Sequence, residues 1–272
     1  MSHHKEFTLF AYTNTDHKIN DIWTTLPEHV GYFVTDRLGG ISREPYEFFN
    51  IAMHVGDCVD DVLINRRELA HSQGMHLQRL VFASQVHGSA IKKVGEGDLN
   101  YDLYTVMQEC DGLITTAKEM VIIIQVADCV PILFYDESNE VIGALHAGWR
   151  GVVQGILPKA VKKLQESGAF DVKKFQVFIG PSIGPCCYEV KGEVIDAVKT
   201  SIPSGDTCLS QRDGKIFLDL KKALLNQLTR LGVPMSNVMI AKECTCCYPQ
   251  RFFSYRNEQE TGRFCAGIYF KG

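Results

Sequence analysis

Short apolar runs rich in β-branched and aromatic residues recur along the chain, and this pattern predicts many strands. Glycine, proline and small polar residues separate the runs, as expected for turns between strands. The predicted strands fall at 29–37, 80–88, 121–128, 130–136, 141–148, 175–182, 238–244, 251–256 and 264–270.

Apolar residues recur with a helical period in the segments 59–73, 150–167, 190–201 and 219–231. Asp219 is placed to cap the last helix and Gly232 to end it. Predicted strands outnumber helices and often follow one another directly, which favours an α+β fold with mixed sheets. The sequence contains no long polar linker and no repeat. Residues 1–272 are therefore predicted to form a single domain with its core at about 25–270.

The composition is that of an ordinary globular protein, with 272 residues, 45% hydrophobic and 22% charged. A net charge of −4 provides no general basic field, so we expect neither nucleic acid nor membrane as a partner. The N-terminal stretch lacks the apolar run of a signal peptide, which predicts a cytoplasmic protein. The ten cysteines are therefore read as thiols, metal ligands or nucleophiles.

Three residues with metal-binding side chains each follow an apolar run next to a turn: His87 in "QVHG", Cys129 in "ADCVPIL" and His146 in "HAGWRG". Two imidazoles and a thiolate suit Zn²⁺ and leave a fourth position for water or substrate. Two alternatives stay open on these residues. One is a packed thiol beside hydrogen-bonded imidazoles, and the other is a Cys129 nucleophile with His146 or His87 as its base.

Four polar residues near these segments are candidates for substrate binding. Arg150 opens a predicted helix and Arg37 lies in a glycine-flanked loop, so each can bind phosphate or form structural salt bridges. Asn50 is either a turn residue or a ribose ligand. Asp128 interrupts the apolar run immediately before Cys129 and completes the candidate set.

The segment "CTCCYPQ" contains Cys244, Cys246 and Cys247. A structural zinc site needs a second pair of ligands at a matching short spacing, and the sequence offers none. This favours free or packed thiols, and the vicinal Cys186 and Cys187 receive the same interpretation.

The three motifs around His87, Cys129 and His146 resemble the signature blocks of the laccase-domain, or multicopper polyphenol oxidase, family. The resemblance extends through "DRLGGIS", "FNIAMHVGD", "CDGLIT", "IGPSIGPCCYEV", "FFSYR" and "TGR", from about Arg37 to Arg263. It implies that His87, Cys129 and His146 bind a metal, with Zn²⁺ as the cofactor and Cu²⁺ as an alternative. It also implies a four-layer α/β/β/α arrangement shared with cysteine hydrolases.

Members of this family have been reassigned as purine nucleoside phosphorylases with adenosine deaminase activity. The resemblance thus implies phosphate together with adenosine, inosine, guanosine or methylthioadenosine as substrates. The protein is expected to be a monomer or a small homo-oligomer. A copper-dependent phenol oxidase and a cysteine hydrolase are the alternatives. A multicopper oxidase needs roughly ten histidines, many in HxH pairs, whereas this chain has nine histidines and no HxH. The histidine content therefore argues against four-copper oxygen reduction.

Overall fold

The computed structural model describes Trp23 and residues 26–271. Its strands, in chain order, are β1 (Val30–Val34), β2 (Leu80–Ala83), β3 (Ile91–Lys93), β4 (Thr105–Met107), β5 (Gly112–Thr115), β6 (Val121–Val126), β7 (Val130–Asp136), β8 (Val141–Ala147), β9 (Phe175–Ile179), β10 (Glu189–Val190), β11 (Leu209–Arg212), β12 (Lys215–Leu218), β13 (Val238–Ile240) and β14 (Phe264–Phe270). The α-helices are α1 (Val59–Ser72), α2 (Trp149–Val153), α3 (Ile156–Ser167), α4 (Glu193–Ser201), α5 (Leu220–Arg230) and α6 (Tyr255–Glu258).

These strands form two large mixed sheets and one small sheet. The five-stranded sheet has the order β1-β14-β6-β2-β4, and the six-stranded sheet has the order β13-β9-β7-β8-β5-β3. Parallel and antiparallel pairs occur in both, since β2 runs parallel to β6 while β14 runs antiparallel to it. The strands β10, β12 and β11 form the small antiparallel sheet. The predicted α+β class with mixed sheets is confirmed.

The hydrophobic core follows from the alternation of side chains along buried strands. Ile122 and Ile124 of β6 belong to one core cluster with Leu133 of β7 and Ala144 of β8, so the two large sheets pack face to face. The opposite face of the six-stranded sheet packs against α3 and α5. The opposite face of the five-stranded sheet packs against α1. Strands buried on both faces explain the continuous apolar runs in the sequence.

Three of the four helix predictions are confirmed with small changes at their ends. Asp219 caps α5 by accepting a hydrogen bond from the backbone N–H of Lys222, and Gly232 has a φ of +78° just beyond the helix. The predicted helix at 150–167 is two helices, because Gly155 between them has a φ of +73°. Among the described residues, no helix has the length and apolar character needed to cross a membrane.

The predicted strand at 251–256 is wrong. Ser254 instead caps the short helix α6 by accepting from the backbone N–H of Asn257, and its hydroxyl donates to Asp128. These polar contacts determine the local structure although the aromatic residues favour a strand. The short strands β3, β4 and β5 and the small sheet were not predicted. The single-domain organisation over 1–272 stays a prediction.

Candidate metal centre and active-site cavity

The folded chain brings His87, Cys129 and His146 together. Their ligand atoms, one nitrogen from each histidine and Sγ of Cys129, all lie within 4.8 Å of one another. His87 lies in the loop after β2, Cys129 joins β6 to β7, and His146 lies on β8. Because β6 and β7 belong to different sheets, the cluster sits where the two large sheets meet at one end. The two imidazole rings are 4.9 Å apart between centroids and nearly perpendicular.

Asp111, which precedes β5, orients two members of this cluster. Its Oδ1 lies 2.8 Å from Nδ1 of His146 and accepts from the backbone N–H of His87 at 3.0 Å. Its Oδ2 accepts from the backbone N–H of Gly88 at 2.7 Å. These contacts hold His87 at a φ of +58°, in the left-handed region. A carboxylate that fixes the ring and tautomer of a histidine is a common partner of metal-binding histidines.

The three groups also perturb one another electrostatically. Loss of hydration raises the pKa of Cys129, but His146 and His87 outweigh this effect and lower the pKa to about 6. Burial lowers the pKa of His146, whereas Cys129 and Asp111 together raise it to about 9. Burial likewise raises the pKa of Asp111, but hydrogen bonds from His146 and the backbone hold the pKa below its usual value. The arrangement thus favours a thiolate and an ionised carboxylate on either side of His146.

Two glycines at the start of α2 permit the close approach of this helix to the cluster. A Cβ atom at Gly148 would lie 3.1 Å from Sγ of Cys129 and 3.3 Å from Cδ2 of His87. A Cβ atom at Gly151 would lie 2.8 Å from the carbonyl oxygen of Gly88. The glycine-rich turn after His146 therefore has a steric role.

The cluster faces a cavity of about 450 Å³, a volume within the usual range for small-molecule sites. Its lining combines cationic, aromatic and apolar side chains. Besides His87, Cys129 and His146, the lining residues include His54, Gln85, Gln125, Asp128, Trp149, Arg150, Ile183, Tyr188, Leu220, Tyr255, Arg256 and Arg263.

Two of the predicted substrate-binding residues line this cavity. Arg150 is about half exposed, with its guanidinium over the ring of Trp149 and 3.5 Å from Oε1 of Glu193. The carboxylate of Asp128 already accepts three hydrogen bonds, from the hydroxyls of Thr245 and Ser254 and from the backbone N–H of Arg256. Asp128 therefore contributes to the wall of the cavity mainly by tying together the segments that form it.

The other two candidates, Arg37 and Asn50, do not line the cavity. Arg37 donates to the carbonyl oxygens of Glu47 and Pro249 and forms an ion pair with Glu258. Asn50 is fully buried. Nδ2 of its side-chain amide donates to Asp57, and Oδ1 of the same amide accepts from the backbone N–H of Arg263. In the structure both side chains hold loops together.

Several cavity residues were not predicted from the sequence. Arg256 and Arg263 are cationic, and Tyr188 and Tyr255 are aromatic. Arg256, Arg263 and Tyr188 lie in the motifs "FFSYR", "TGR" and "GPCCYEV". Their position in motifs of the resembled family is the sequence signal that could have identified them as site residues. Asp111 likewise lies in "CDGLIT".

Comparisons with known proteins identify relatives over most of the chain. The family model described as multi-copper polyphenol oxidoreductase laccase matches residues 31–271. A protein of Geobacillus stearothermophilus named purine nucleoside phosphorylase YlmD is 38% identical over 242 residues, covering 86% of this chain and 88% of that protein. The Escherichia coli protein named purine nucleoside phosphorylase YfiH is 30% identical over 243 residues, covering 89% and 95%.

Solved structures have the same fold. The crystal structure of YlmD from Geobacillus stearothermophilus matches with a TM-score of 0.83 and 36% identity, over 90% of this chain and 93% of that one. The crystal structure of the Bacillus licheniformis hypothetical protein YfiH matches with a TM-score of 0.84 and 33% identity, over 89% and 93%.

Proposed function

This chain belongs to the multi-copper polyphenol oxidoreductase laccase family, and we propose that it is a metal-dependent purine nucleoside phosphorylase that also deaminates adenosine. Its substrates in this proposal are phosphate with inosine, adenosine or guanosine. The observation that carries the proposal is one cavity that combines the His87–Cys129–His146 cluster with arginines and aromatic rings. The names of the relatives support the phosphorylase activity.

The arginines supply the charge that phosphate binding requires. Arg150, Arg256 and Arg263 line the same cavity. Guanidinium groups bind phosphate through paired, charge-assisted hydrogen bonds, which are stronger where water is partly excluded. In this proposal they hold phosphate for its attack on C1′ of the nucleoside, which releases the base and forms ribose 1-phosphate.

The aromatic and apolar lining supplies a surface for the purine. Trp149, Tyr188 and Tyr255 line the cavity together with Ile183 and Leu220. Flat rings stack favourably on aromatic side chains, and apolar contacts stabilise the base away from water. In this proposal the base lies on this surface while the arginines hold phosphate.

The donor set of the cluster fits Zn²⁺, with Cu²⁺ as the alternative. His87, Cys129 and His146 would hold the ion, and the resemblance of the three motifs to the family supports this assignment. A bound metal supplies Lewis acidity that polarises an oxygen of the substrate or of water. Asp111 keeps the proton of His146 on Nδ1, which leaves Nε2 as a ligand atom. Deamination uses water in place of phosphate in the same cavity.

The packing of the sheets supports the four-layer α/β/β/α arrangement of the cysteine-hydrolase-like proteins. Helix α1 covers one large sheet, while α3 and α5 cover the other. His146 contacts both Cys129 and Asp111, which resembles the arrangement of nucleophile, base and carboxylate in a catalytic triad. Hydrolysis by a Cys129 nucleophile is therefore the second candidate function, and it requires no metal. A copper-dependent phenol oxidase is disfavoured by the histidine content.

Base release from inosine, measured with and without phosphate, tests the proposal. The expected result is phosphate-dependent release of hypoxanthine with one ribose 1-phosphate per base, lost when a chelator removes the metal and restored by Zn²⁺. Adenosine without phosphate should yield inosine and ammonia with the same metal dependence. Base release at the same rate with and without phosphate would contradict the proposed phosphorylase activity. Ester or amide hydrolysis that continues after the metal is chelated would favour the Cys129 nucleophile.

A further inference from the structure

A second group of metal-binding side chains lies outside the cluster at His87. Cys186 and Cys187 follow β9, and Cys244 and Cys247 follow β13. The four Sγ atoms lie within 4.8 Å of one another. Sγ of Cys247 is 3.4 Å from Sγ of Cys186 and also 3.4 Å from Sγ of Cys187. The vicinal pair thus supplies the second pair of thiols that sequence spacing alone did not reveal.

The separations match a tetrahedral thiolate site. Zinc–sulfur bonds of about 2.3 Å place the sulfurs of such a site about 3.8 Å apart. Two of the Sγ separations are 3.4 Å and none exceeds 4.8 Å, a range that includes this value. Cys244 and Cys247 also have the C-x-x-C spacing of a zinc knuckle. Small adjustments of the side chains would therefore let the four sulfurs surround one ion.

The backbone around the thiols is arranged to hold them. The backbone N–H of Gly184 donates to Sγ of Cys244 at 3.1 Å. A Cβ atom at Gly184 would lie 3.2 Å from Sγ of Cys186 and 3.3 Å from Cβ of Cys244, so this close approach favours glycine. The N–H of Cys247 donates to the carbonyl oxygen of Cys244, which closes the turn between the two ligands.

Three cationic side chains are bound to the loops that carry the thiols. Lys221 donates to the carbonyl oxygens of Ala241 and Glu243, next to Cys244. Arg212 donates to the carbonyl oxygens of Pro185 and Cys186, and Arg256 donates to that of Cys187. Four thiolates around a divalent ion have a net charge of about −2. These cations are placed to offset that charge.

We propose that Cys186, Cys187, Cys244 and Cys247 bind one Zn²⁺ ion as a structural site, separate from the site at His87. Binding displaces the four thiol protons, which pass to solvent, and involves no redox change. The ion joins the loop after β9 to the loop after β13. The first loop carries Ile183 and Tyr188 of the cavity wall, and its Cys187 carbonyl holds Arg256. The site therefore stabilises one wall of the cavity without contacting substrate.

Zinc content of the purified full-length chain tests this proposal independently of any enzymatic activity. Wild type is expected to contain two equivalents of zinc, and Cys129→Ala should lose only the ion at His87. The double variant Cys187→Ser/Cys247→Ser should lose only the other ion. Cys246→Ser is the matched control, because Cys246 lies in the same loop but outside the group of four sulfurs. It should retain both equivalents.

Cobalt substitution provides a test that does not depend on the folding of the double variant. Cys129→Ala loaded with Co²⁺ should show the intense sulfur-to-cobalt absorption of a tetrathiolate site. An unchanged zinc content in a folded double variant would overturn the proposal. Cys129→Ala protein that contains no metal after purification in zinc and gives no thiolate absorption with Co²⁺ would also overturn it. A Cys186–Cys247 disulfide in freshly purified protein would do the same.

Discussion

Asp111 Oδ1 and His146 Nδ1 are 2.8 Å apart, in a contact between two buried side chains. The same carboxylate accepts from the backbone N–H groups of His87 and Gly88. One side chain therefore sets the ring orientation of His146 and the backbone position of His87, the two histidines of the candidate metal site. Its effect on the cluster is indirect, through geometry and through the tautomer of His146.

Asp111→Asn is expected to lower zinc affinity at the His87 site by about tenfold to a hundredfold. The amide is neutral, and its NH₂ group cannot accept the hydrogen bonds that the replaced carboxylate oxygen received. Competition with a fluorescent chelator measures the affinity. Asp102→Asn is the control, since Asp102 is exposed and does not line the cavity. Equal affinity in wild type and Asp111→Asn would show that Asp111 does not position the ligands.

Gly148→Ala is expected to weaken metal binding at the same site. The added methyl group would lie 3.1 Å from Sγ of Cys129 and 3.3 Å from Cδ2 of His87, so both ligands must move. Gly97→Ala is the matched control, because a Cβ atom at Gly97 meets no atom within 4 Å. Isothermal titration with Zn²⁺ compares the two variants. Wild-type affinity in Gly148→Ala would contradict the steric role assigned to this glycine.

Arg150→Lys is expected to raise the KM for phosphate by about tenfold to a hundredfold. Lysine keeps the charge but loses the paired geometry, and a hydrogen bond to a charged group contributes about 1.5–3 kcal/mol. Adenosine deamination uses water and should change less. Steady-state kinetics of both reactions give the ratio of phosphorolysis to deamination, which should fall in this variant if Arg150 binds phosphate.

Glu193→Gln separates this role from a structural one. The ion pair of Glu193 with Arg150 is exposed, with a distance of 3.5 Å. Exposed pairs contribute about 0–1 kcal/mol, so this variant should keep nearly normal phosphate kinetics. If Arg150→Lys leaves the ratio of the two activities unchanged, Arg150 serves only to support the helix.

Asp36→Asn is expected to change the pH dependence of stability. Burial raises the pKa of Asp36 to about 6, against the opposing effects of the Leu38 N–H and Arg251. The unfolded chain has a pKa of about 3.9 at this residue, so between about pH 4 and 6 the folded state binds more protons. Rising pH therefore destabilises wild type through this group, and the effect is complete above about pH 7.

Melting temperatures across this pH range provide the measurement. The difference between Asp36→Asn and wild type should move in favour of the variant from about pH 4 to about pH 7 and then level off. A constant difference between Asp36→Asn and wild type would mean that the folded-state pKa of Asp36 is not raised.

The sequence was sufficient to predict the main elements and the central cluster. His87, Cys129 and His146 stand out because reactive side chains interrupt apolar runs at turns, and the family resemblance that they indicated is confirmed. Asp111 did not stand out, since an aspartate before a glycine is also an ordinary turn residue. Its role depends on a contact with a residue 35 positions away.

Long-range contacts also explain the other differences. Asn50 and Arg37 bind neighbouring loops in the structure, and their residue types alone do not distinguish this use from ligand binding. Cys186 and Cys247 are 61 positions apart, and their meeting depends on the parallel pairing of β9 with β13. Single-sequence patterns report local periodicity and do not determine which strand ends become neighbours.

The location of the His87 cluster at the meeting of two sheets has a consequence for the whole molecule. His87 follows a strand of one sheet, whereas His146 lies within the other. An unfolded chain does not hold the two side chains together, so an ion held by both would bind the native state in preference to the unfolded chain. Metal concentration then enters the folding equilibrium by mass action, and each tenfold rise above Kd adds about 1.4 kcal/mol to the free energy of unfolding. In the proposed metal-dependent enzyme, the availability of the ion would therefore set how much of the chain survives heat or proteolysis, as well as how fast the enzyme turns over substrate.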